Sequence, residues 1–242
     1  AKGLSGRHLA VWQSHGRVFS NDEGTWEWQR PALYCTTEDL FTQSIVVPFL
    51  MPMLENAGAV VYTPRERDWQ PRSVIVDNDV VFGASQYLEG KTDKKQWDVS
   101  SGGFRLRDGF FVDYENPFAG GTSRSTPTSG NAKNATALAK WKPEIPEDGR
   151  YAVYVTYQTT ENSVADAHYS VLHAGGITEF RVNQQMGGGT WVYLGTFNFK
   201  KGAHDEQVVM LSNASASKGI VSADAVRFGG GMGVVARGDS IP

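Results

Sequence analysis

The stretch Arg7-His8-Leu9-Ala10-Val11-Trp12-Gln13 has the pattern of an apolar strand, and it leads directly into Ser14-His15-Gly16. A long apolar segment follows, which predicts a helix over residues 37–57, and then a second apolar run, Ala59-Val60-Val61-Tyr62-Thr63. A strand, a crossover helix and a second strand form a unit that is nearly always right-handed, with parallel strands. Ligands of open α/β sheets bind at the carboxyl ends of the strands. The polar residues after these two strands are therefore the first candidates for a site.

The predicted helix carries its own start signal and an internal disruption. Thr36 fits the N-cap, and Glu38-Asp39 lies at the positive end of the helix dipole. The apolar side chains are too numerous for a narrow stripe, so we expect the helix to be largely buried. Pro48 and Pro52 each remove a backbone donor, which predicts a kink or two helical pieces near residue 47.

Composition limits the classes of function. The chain has 242 residues, 40% of them apolar, which suffices for one large packed domain or two ordinary ones. A formal net charge of −3 gives no electrostatic footprint for nucleic acid. The longest apolar run, Ile45 to Leu54, contains two prolines and is too short to span a bilayer. The single cysteine, Cys35, excludes an internal disulfide.

From about Gly103 the pattern changes to short strands separated by turn residues. The run Tyr151–Gln158 alternates two sets of side chains at period 2, and clusters such as Gly187-Gly188-Gly189 separate such runs. Short strands at this spacing, with no helical period between them, predict an antiparallel β-sandwich. The strand candidates are Phe110–Tyr114, Ala137–Trp141, Tyr151–Gln158, Ala167–His173, Thr178–Asn183, Thr190–Phe199, Gln207–Ser212 and Ile220–Phe228.

These patterns predict a mixed fold in which β structure dominates. We expect an incomplete α/β piece over residues 1–72, a connector over 73–103, the sandwich over 104–230 and a tail over 231–242. Within the connector, Val74-Ile75-Val76 fits a short strand. One helix and two strands cannot cover both faces of a parallel sheet. We therefore expect the tail to return toward the α/β piece, with the remainder of that domain beyond Pro242.

The sandwich resembles the golvesin C-terminal-like domain, which is also found at the end of xanthan lyases. The resemblance covers Tyr151–Gly233, about half of the chain. It implies a β-sandwich that accompanies carbohydrate-active or envelope proteins and binds rather than catalyses. The segments that carry it are Gly149–Val155, His173–Phe180, Gly188–Gly195 and Ala223–Phe228.

The opening stretch resembles the first third of zinc-dependent N-acetylmuramoyl-L-alanine amidases, which cleave the peptide from peptidoglycan. That family has a zinc-binding His after strand one and a zinc-binding Glu at the start of the next helix, which match His15 and Glu38. A Thr-Arg-type motif with a following Asp matches Thr63, Arg65 and Asp68. The gap of 23 residues from His15 to Glu38 is longer than usual in that family. The family's third ligand, a His, and its catalytic Glu have no counterpart before the end of the chain, which agrees with an interrupted domain.

Each candidate site has a structural alternative. His15 and Glu38 fit a zinc pair, or a turn histidine and a capping acid. Arg30, Arg65 and Arg67 could bind a substrate carboxylate or phosphate through forked contacts, or form a network of ion pairs.

Aromatic residues of the sandwich form a further candidate. Trp191 and Tyr193 lie on one face of a predicted strand and could form a platform for sugar rings, together with Trp141, Tyr154 and Tyr157. Aromatic residues in a sandwich also serve as core.

Two classes of function follow. The first is a fragment of a zinc-dependent, amidase-like hydrolase acting on peptidoglycan, located in the cell envelope, the periplasm or outside a bacterial cell. The alternative is a non-catalytic protein that binds carbohydrate or the envelope, or a xanthan-lyase-related protein that degrades polysaccharide. A lyase needs a base and a group that neutralises the uronate charge, and we could not assign that pair of residues from the sequence.

Overall fold

A computed structural model describes residues 2–20, 22–23, 25–34, 36–63, 67, 70, 72–91, 97–108 and 115–230. The described residues form two compact units. The first contains the residues up to Gln70 together with Gly230, and the second is Arg72–Gly229. The predicted strand Phe110–Tyr114 and the tail over 231–242 lie outside the described residues.

The first unit contains the predicted parallel strands joined by a helix. Strand β1 pairs in parallel with β6, with Leu9 opposite Val61, while β2 pairs with β3 and β4 with β5 as antiparallel hairpins. The elements in chain order are β1 (His8–Ala10), β2 (Arg17–Ser20), β3 (Thr25–Trp28), β4 (Ala32–Leu33), β5 (Thr36–Thr37), α1 (Glu38–Ile45), a π-helical turn (Val46–Leu50), α2 (Met51–Asn56) and β6 (Val60–Tyr62).

The helix is divided where the prolines predict it. A π-helical turn separates α1 from α2, and the Met51 amide donates to the Val46 carbonyl five residues back. Pro48 and Pro52 lack the amide hydrogens that regular α-helical bonding would use, so the wider turn replaces it. The expectation of two helical pieces near residue 47 is confirmed.

The expectation that this helix is largely buried is wrong. Val47 and Met51 are buried, and Met51 packs with Ala59 and Val61 in a small core. Four large apolar side chains on another face are between 47 and 67% exposed: Phe41, Ile45, Phe49 and Met53. Apolar composition predicted burial of every face, whereas in the described part of this unit only the face with Val47 and Met51 is buried.

The described residues of the second unit form twelve β-strands and no helix. Its elements in chain order are β7 (Ser73–Val76), β8 (Gln86–Lys91), β9 (Asp98–Ser101), β10 (Thr122–Pro127), β11 (Ala137–Lys142), β12 (Gly149–Val155), β13 (Ala167–His173), β14 (Gly176–Val182), β15 (Val192–Phe199), β16 (Val209–Ser212), β17 (Ile220–Ala223) and β18 (Val226–Gly229).

These strands form a five-stranded sheet (β14-β13-β16-β11-β8), a four-stranded sheet (β15-β12-β18-β7) and a three-stranded sheet (β17-β10-β9). Within these sheets the neighbouring strands pair antiparallel. The β-dominated fold with a sandwich is therefore confirmed. Residues 73–103, expected as a connector, instead supply β7, β8 and β9 to the sheets, so that expectation is corrected.

The sandwich has a continuous core because alternate side chains of its sheets point inward. Trp141, Tyr169 and Leu211 are fully buried on the five-stranded sheet, and Val153 and Phe228 on the four-stranded sheet. The predicted strand Ile220–Phe228 is two strands, since the chain breaks at Asp224 and changes from the three-stranded to the four-stranded sheet.

Candidate functional site

The carboxyl end of β1 carries a cluster of polar residues, which we call the polar edge: Gln13, His15, Arg30, Glu38 and Asp39. The chain turns sharply before His15, where Ser14 has a φ of 72°. The Thr42 hydroxyl lies 2.9 Å from the Gln13 carbonyl and 3.1 Å from the Asp39 carbonyl, so it joins the strand end to the helix start. The predicted convergence of His15 and Glu38 is therefore present.

The His15 ring lies between the carboxylate of Glu38 and the guanidinium of Arg30. Its Nδ1 is 3.8 Å from Oε1 of Glu38, and its Nε2 accepts from Nη2 of Arg30 at 2.9 Å. The backbone amide of Arg30 donates to Oδ2 of Asp39 at 3.0 Å. Because a guanidinium only donates, Nε2 of His15 is the acceptor of this hydrogen bond, and Nδ1 is the ring nitrogen nearest to Glu38.

The polar edge in this arrangement does not fit a zinc ion. A tetrahedral Zn²⁺ holds nitrogen and oxygen ligands roughly 3.3 Å apart, which is close to the spacing of His15 and Glu38. However, the guanidinium of Arg30 lies 2.9 Å from Nε2 of the His15 ring and places a positive charge beside it. Within the described part of the chain, no group of three or more His, Cys, Asp or Glu residues is placed to hold a metal ion. We therefore derive no catalytic step through zinc.

The other arginines that were predicted to bind substrate have different outcomes. Arg67 is buried, and its two terminal nitrogens donate to the two carboxylate oxygens of Glu55 at 2.6 and 2.9 Å. This forked ion pair ties α2 to the chain after β6. Arg65 lies outside the described residues.

The second candidate site is an aromatic cluster in the sandwich, which we call the Trp191 cluster: Phe104, Phe118, Trp191 and Arg227. The ring centroid of Trp191 is 4.9 Å from that of Phe104 and 5.6 Å from that of Phe118, and all three rings are tilted or edge-on to one another. Phe104 is buried, whereas Trp191 and Phe118 keep part of their surface exposed. The Trp191 ring thus packs against two other aromatic rings, and the residue as a whole remains partly exposed.

A row of side chains across the four-stranded sheet supports this cluster. Tyr154 is paired in register with Tyr193 on one side and with Arg227 on the other. The guanidinium carbon of Arg227 lies 4.4 Å from the centre of the Tyr154 ring and 5.6 Å from that of Trp191. A buried cation over aromatic faces is a favourable contact, and it places positive charge next to the Trp191 ring. The Tyr193 hydroxyl pairs with that of Thr196 at 2.9 Å.

Three aromatic residues that were candidates for the sugar platform belong to the core instead. Trp141 and Tyr157 are fully buried, and Tyr154 is nearly so. The Trp141 indole donates to the Asp224 carbonyl at 2.9 Å, and the Tyr157 hydroxyl donates to the Met186 carbonyl at 2.8 Å. Their role as a platform is corrected, because no sugar could reach them.

Two buried carboxyls hold the loop that carries Phe104. The Phe104 amide lies 3.0 and 3.1 Å from the two carboxyl oxygens of Asp224, and the Leu106 amide donates to Asp77 at 2.9 Å. Burial raises the pKa of Asp224 to about 8 and that of Asp77 to about 6, with repulsion from neighbouring aspartates adding to both. The loop is therefore held by two carboxyls that ionise at unusually high pH, Asp77 near pH 6 and Asp224 near pH 8.

Sequence reasoning missed Phe104, Phe118, Asp77 and Asp224 as parts of a site. Asp224 and Arg227 lie in the segment Ala223–Phe228 that carries the family resemblance, and Phe104 lies at the start of the predicted sandwich. Period-2 alternation gives no signal for residues held by loops, so only the three-dimensional contacts bring them together.

Comparison with known proteins supports the sandwich assignment. Residues 118–230 match the model of the Golvesin C-terminal domain, a stretch that contains Trp191, Asp224 and Arg227. A xanthan lyase from Bacillus sp. (strain GL1) is 33% identical over 98 residues. Those residues are 40% of this chain and only 10% of that protein. The predicted resemblance of the sandwich to a golvesin C-terminal-like domain is confirmed, and the match begins earlier than Tyr151.

Solved structures give weaker likenesses. A Paenibacillus xanthan lyase aligns with 65% of this chain and 13% of its own, at 26% identity and a TM-score of 0.47. The C-terminal CBM6 of LamC, a laminarinase from Zobellia galactanivorans, aligns with 60% of this chain and 99% of its own, at 17% identity and a TM-score of 0.31. At these TM-scores neither superposition establishes a common fold. Neither these likenesses nor the sequence matches show the amidase resemblance of the first unit.

Proposed function

We propose that the sandwich unit binds polysaccharide, with Trp191 as the ring on which a sugar stacks. The observation that carries this proposal is the packing of Trp191 against Phe104 and Phe118 in a residue that is not fully buried. The C–H groups of a sugar ring pack against an aromatic face, and a ring that is already immobilised loses little entropy on binding.

The surroundings of Trp191 favour an acidic sugar. Arg227 provides a positive charge 5.6 Å from the centre of the Trp191 ring, and Tyr193, two residues further on in β15, is also partly exposed. The similarity to a xanthan lyase supports a polysaccharide ligand, since that relative is named for a polysaccharide. As part of this proposal, the protein acts in the bacterial cell envelope or outside the cell.

Affinity electrophoresis tests the proposal. Wild-type chain should be retarded in gels that contain xanthan, and Trp191→Ala should weaken the affinity by about tenfold or more. Trp191→Phe keeps a ring at this position and should retain most of the binding. Trp12→Ala removes an exposed tryptophan from the first unit and should change nothing.

Circular dichroism should confirm that each variant is folded. A folded Trp191→Ala chain with unchanged retardation would refute the role of this ring. Absence of retardation of the wild-type chain by xanthan and by a neutral glucan would refute polysaccharide binding by the sandwich.

A second proposal is that the polar edge belongs to a zinc-dependent, amidase-like hydrolase acting on peptidoglycan. One observation favours it, the 3.8 Å approach of His15 Nδ1 to Glu38. Arg30 must leave the ring for a metal to bind, so Arg30→Ala should increase zinc binding and His15→Ala should abolish it. Metal analysis of the purified chains, with His204→Ala as the control, measures this. No zinc in wild type or in Arg30→Ala would refute the proposal.

A further inference from the structure

The outer face of the divided helix is an apolar surface whose large side chains are exposed in the structure. Its ridge consists of Phe41, Ile45, Phe49 and Met53, four residues apart, and we call it the helix stripe. Leu50 is also exposed beside it. Helices at the surface of a soluble unit normally have polar residues on their outer face, and an all-round apolar helix is typical of a buried one.

The π-helical turn keeps the stripe straight. In an α-helix, a step of four residues exceeds one turn of 3.6 residues, so such a ridge drifts around the helix. A π-helix has more than four residues per turn, so four residues of the π turn at Val46–Leu50 complete less than one turn. This rotation is opposite to the drift of the α-helical parts and offsets it. The four side chains therefore stay on one face, opposite the buried Val47 and Met51.

The size of the helix stripe suits a small protein interface. With aromatic side chains carrying about 150–250 Å² each, the four exposed side chains and Leu50 present on the order of 500 Å². That lies within the range of the largest apolar patch on a typical monomer, about 300–600 Å², and such patches are often functional. When two such patches pack together, on the order of 1,000 Å² of accessible surface is removed from water, which is near the lower limit of specific interfaces.

Charge decides what kind of surface the helix stripe meets. Residues 40–54 contain no Lys, Arg, Asp or Glu. Helices that lie on membranes carry Lys and Arg along their polar face, which this segment lacks. A second copy of the same helix is also uncharged over this length, so two copies meet without like-charge repulsion.

We propose that the helix stripe is a self-association surface that packs against the same stripe of a second copy of this chain. Ridges of residues four apart interdigitate at about −50°. In an antiparallel, twofold pair the centre of the stripe lies between Ile45 and Phe49. Ile45 of one copy then contacts Phe49 of the other, and the reverse contact is made at the same time.

Sedimentation velocity of the full chain at about 1–100 μM tests the proposal, since an interface of this size is expected to be weak. Wild type should show a concentration-dependent dimer. Phe49→Glu and Ile45→Lys should each weaken dimerisation by roughly tenfold or more, because each buries an unpaired charge. Phe82→Glu, at an exposed apolar position of the sandwich, should leave the dimer unchanged.

Mixing the two variants adds a sharper result. In a mixed dimer, Lys at 45 faces Glu at 49, so the Ile45→Lys and Phe49→Glu chains should form a heterodimer that neither forms alone. A wild-type chain that stays monomeric at all concentrations would overturn the proposal. Equal loss of the dimer in Phe82→Glu, or a mixture that remains monomeric, would overturn it as well.

Discussion

The two units of this chain differ in how far they bury their large apolar side chains. In the sandwich, large side chains such as Trp141, Tyr169 and Phe228 are fully buried between sheets. In the first unit, the buried core is Met51, Ala59 and Val61, while larger side chains of the same helix remain exposed. Apolar content alone does not make a core, because enough chain must be present to cover the apolar faces. The sandwich meets this condition, and the described first unit does not.

The largest expected effect is in the sandwich core. Trp141→Ala removes a fully buried ring and its hydrogen bond to the Asp224 carbonyl. We expect a loss of about 3–5 kcal/mol in the free energy of unfolding of the sandwich, because the surrounding sheets cannot collapse into the cavity. Urea unfolding followed by circular dichroism measures the change. A loss below about 1 kcal/mol would mean that the sandwich core is not packed as described.

An intermediate effect should come from pH. Asp224 has a pKa of about 8 in the folded chain against an ordinary value of 3.8, chiefly because it is buried. Its contribution to stability is therefore complete below about pH 4 and is lost as the pH rises toward 8. Asp77, with a pKa of about 6, acts in the same direction at lower pH. The sandwich should thus be less stable at pH 8.5 than at pH 5.

Asp224→Asn isolates this effect, since the amide oxygen can still accept from the Phe104 amide. The variant should lose part of the pH dependence and exceed wild type at pH 8.5 by on the order of 1–3 kcal/mol. Asp148→Asn changes an exposed carboxylate that pairs with Lys200 and should leave the slope between pH 5 and 8.5 unchanged. If the free energy of unfolding depended on pH equally in Asp224→Asn and in wild type, Asp224 would not have the raised pKa on which this prediction rests.

The smallest effect is expected on the helix stripe. Phe49→Ala at a dilution where the chain is monomeric should change the free energy of unfolding by less than about 0.5 kcal/mol, because the ring is exposed. The same urea titration serves for the measurement. A loss comparable to that of Trp141→Ala would show that Phe49 is buried in the monomer, and the contrast between the units would fail.

Strongly periodic segments of the sandwich could be predicted from the sequence. Strand Ala167–His173 was predicted with its observed bounds, and β12 was predicted to within three residues at either end. Strands β8 and β10 were missed because Gln86–Lys91 contains glycine and charges, and Thr122–Pro127 is made of residues typical of turns. Their pairing comes from neighbouring strands rather than from their own pattern.

The candidate sites were only partly predictable. The approach of His15 to Glu38 followed from their positions after a strand and at a helix start. The contact between Arg30 and the His15 ring did not, because it depends on the path of the intervening hairpins. In the sandwich, strand alternation placed Trp191 and Tyr193 on one face, but only the fold showed which aromatic residues stay accessible.

Hydrogen exchange of the full chain, measured by mass spectrometry at two protein concentrations, tests the contrast between the units most directly. Amides of β12 and β18 should exchange at least about 100-fold more slowly than those of residues 38–56 in dilute solution, since core strands open only with the whole unit. Protection of residues 38–56 should increase at high concentration, as the helix stripe of one copy covers that of another. Equal protection of the two regions, or a helix whose protection does not depend on concentration, would contradict this account.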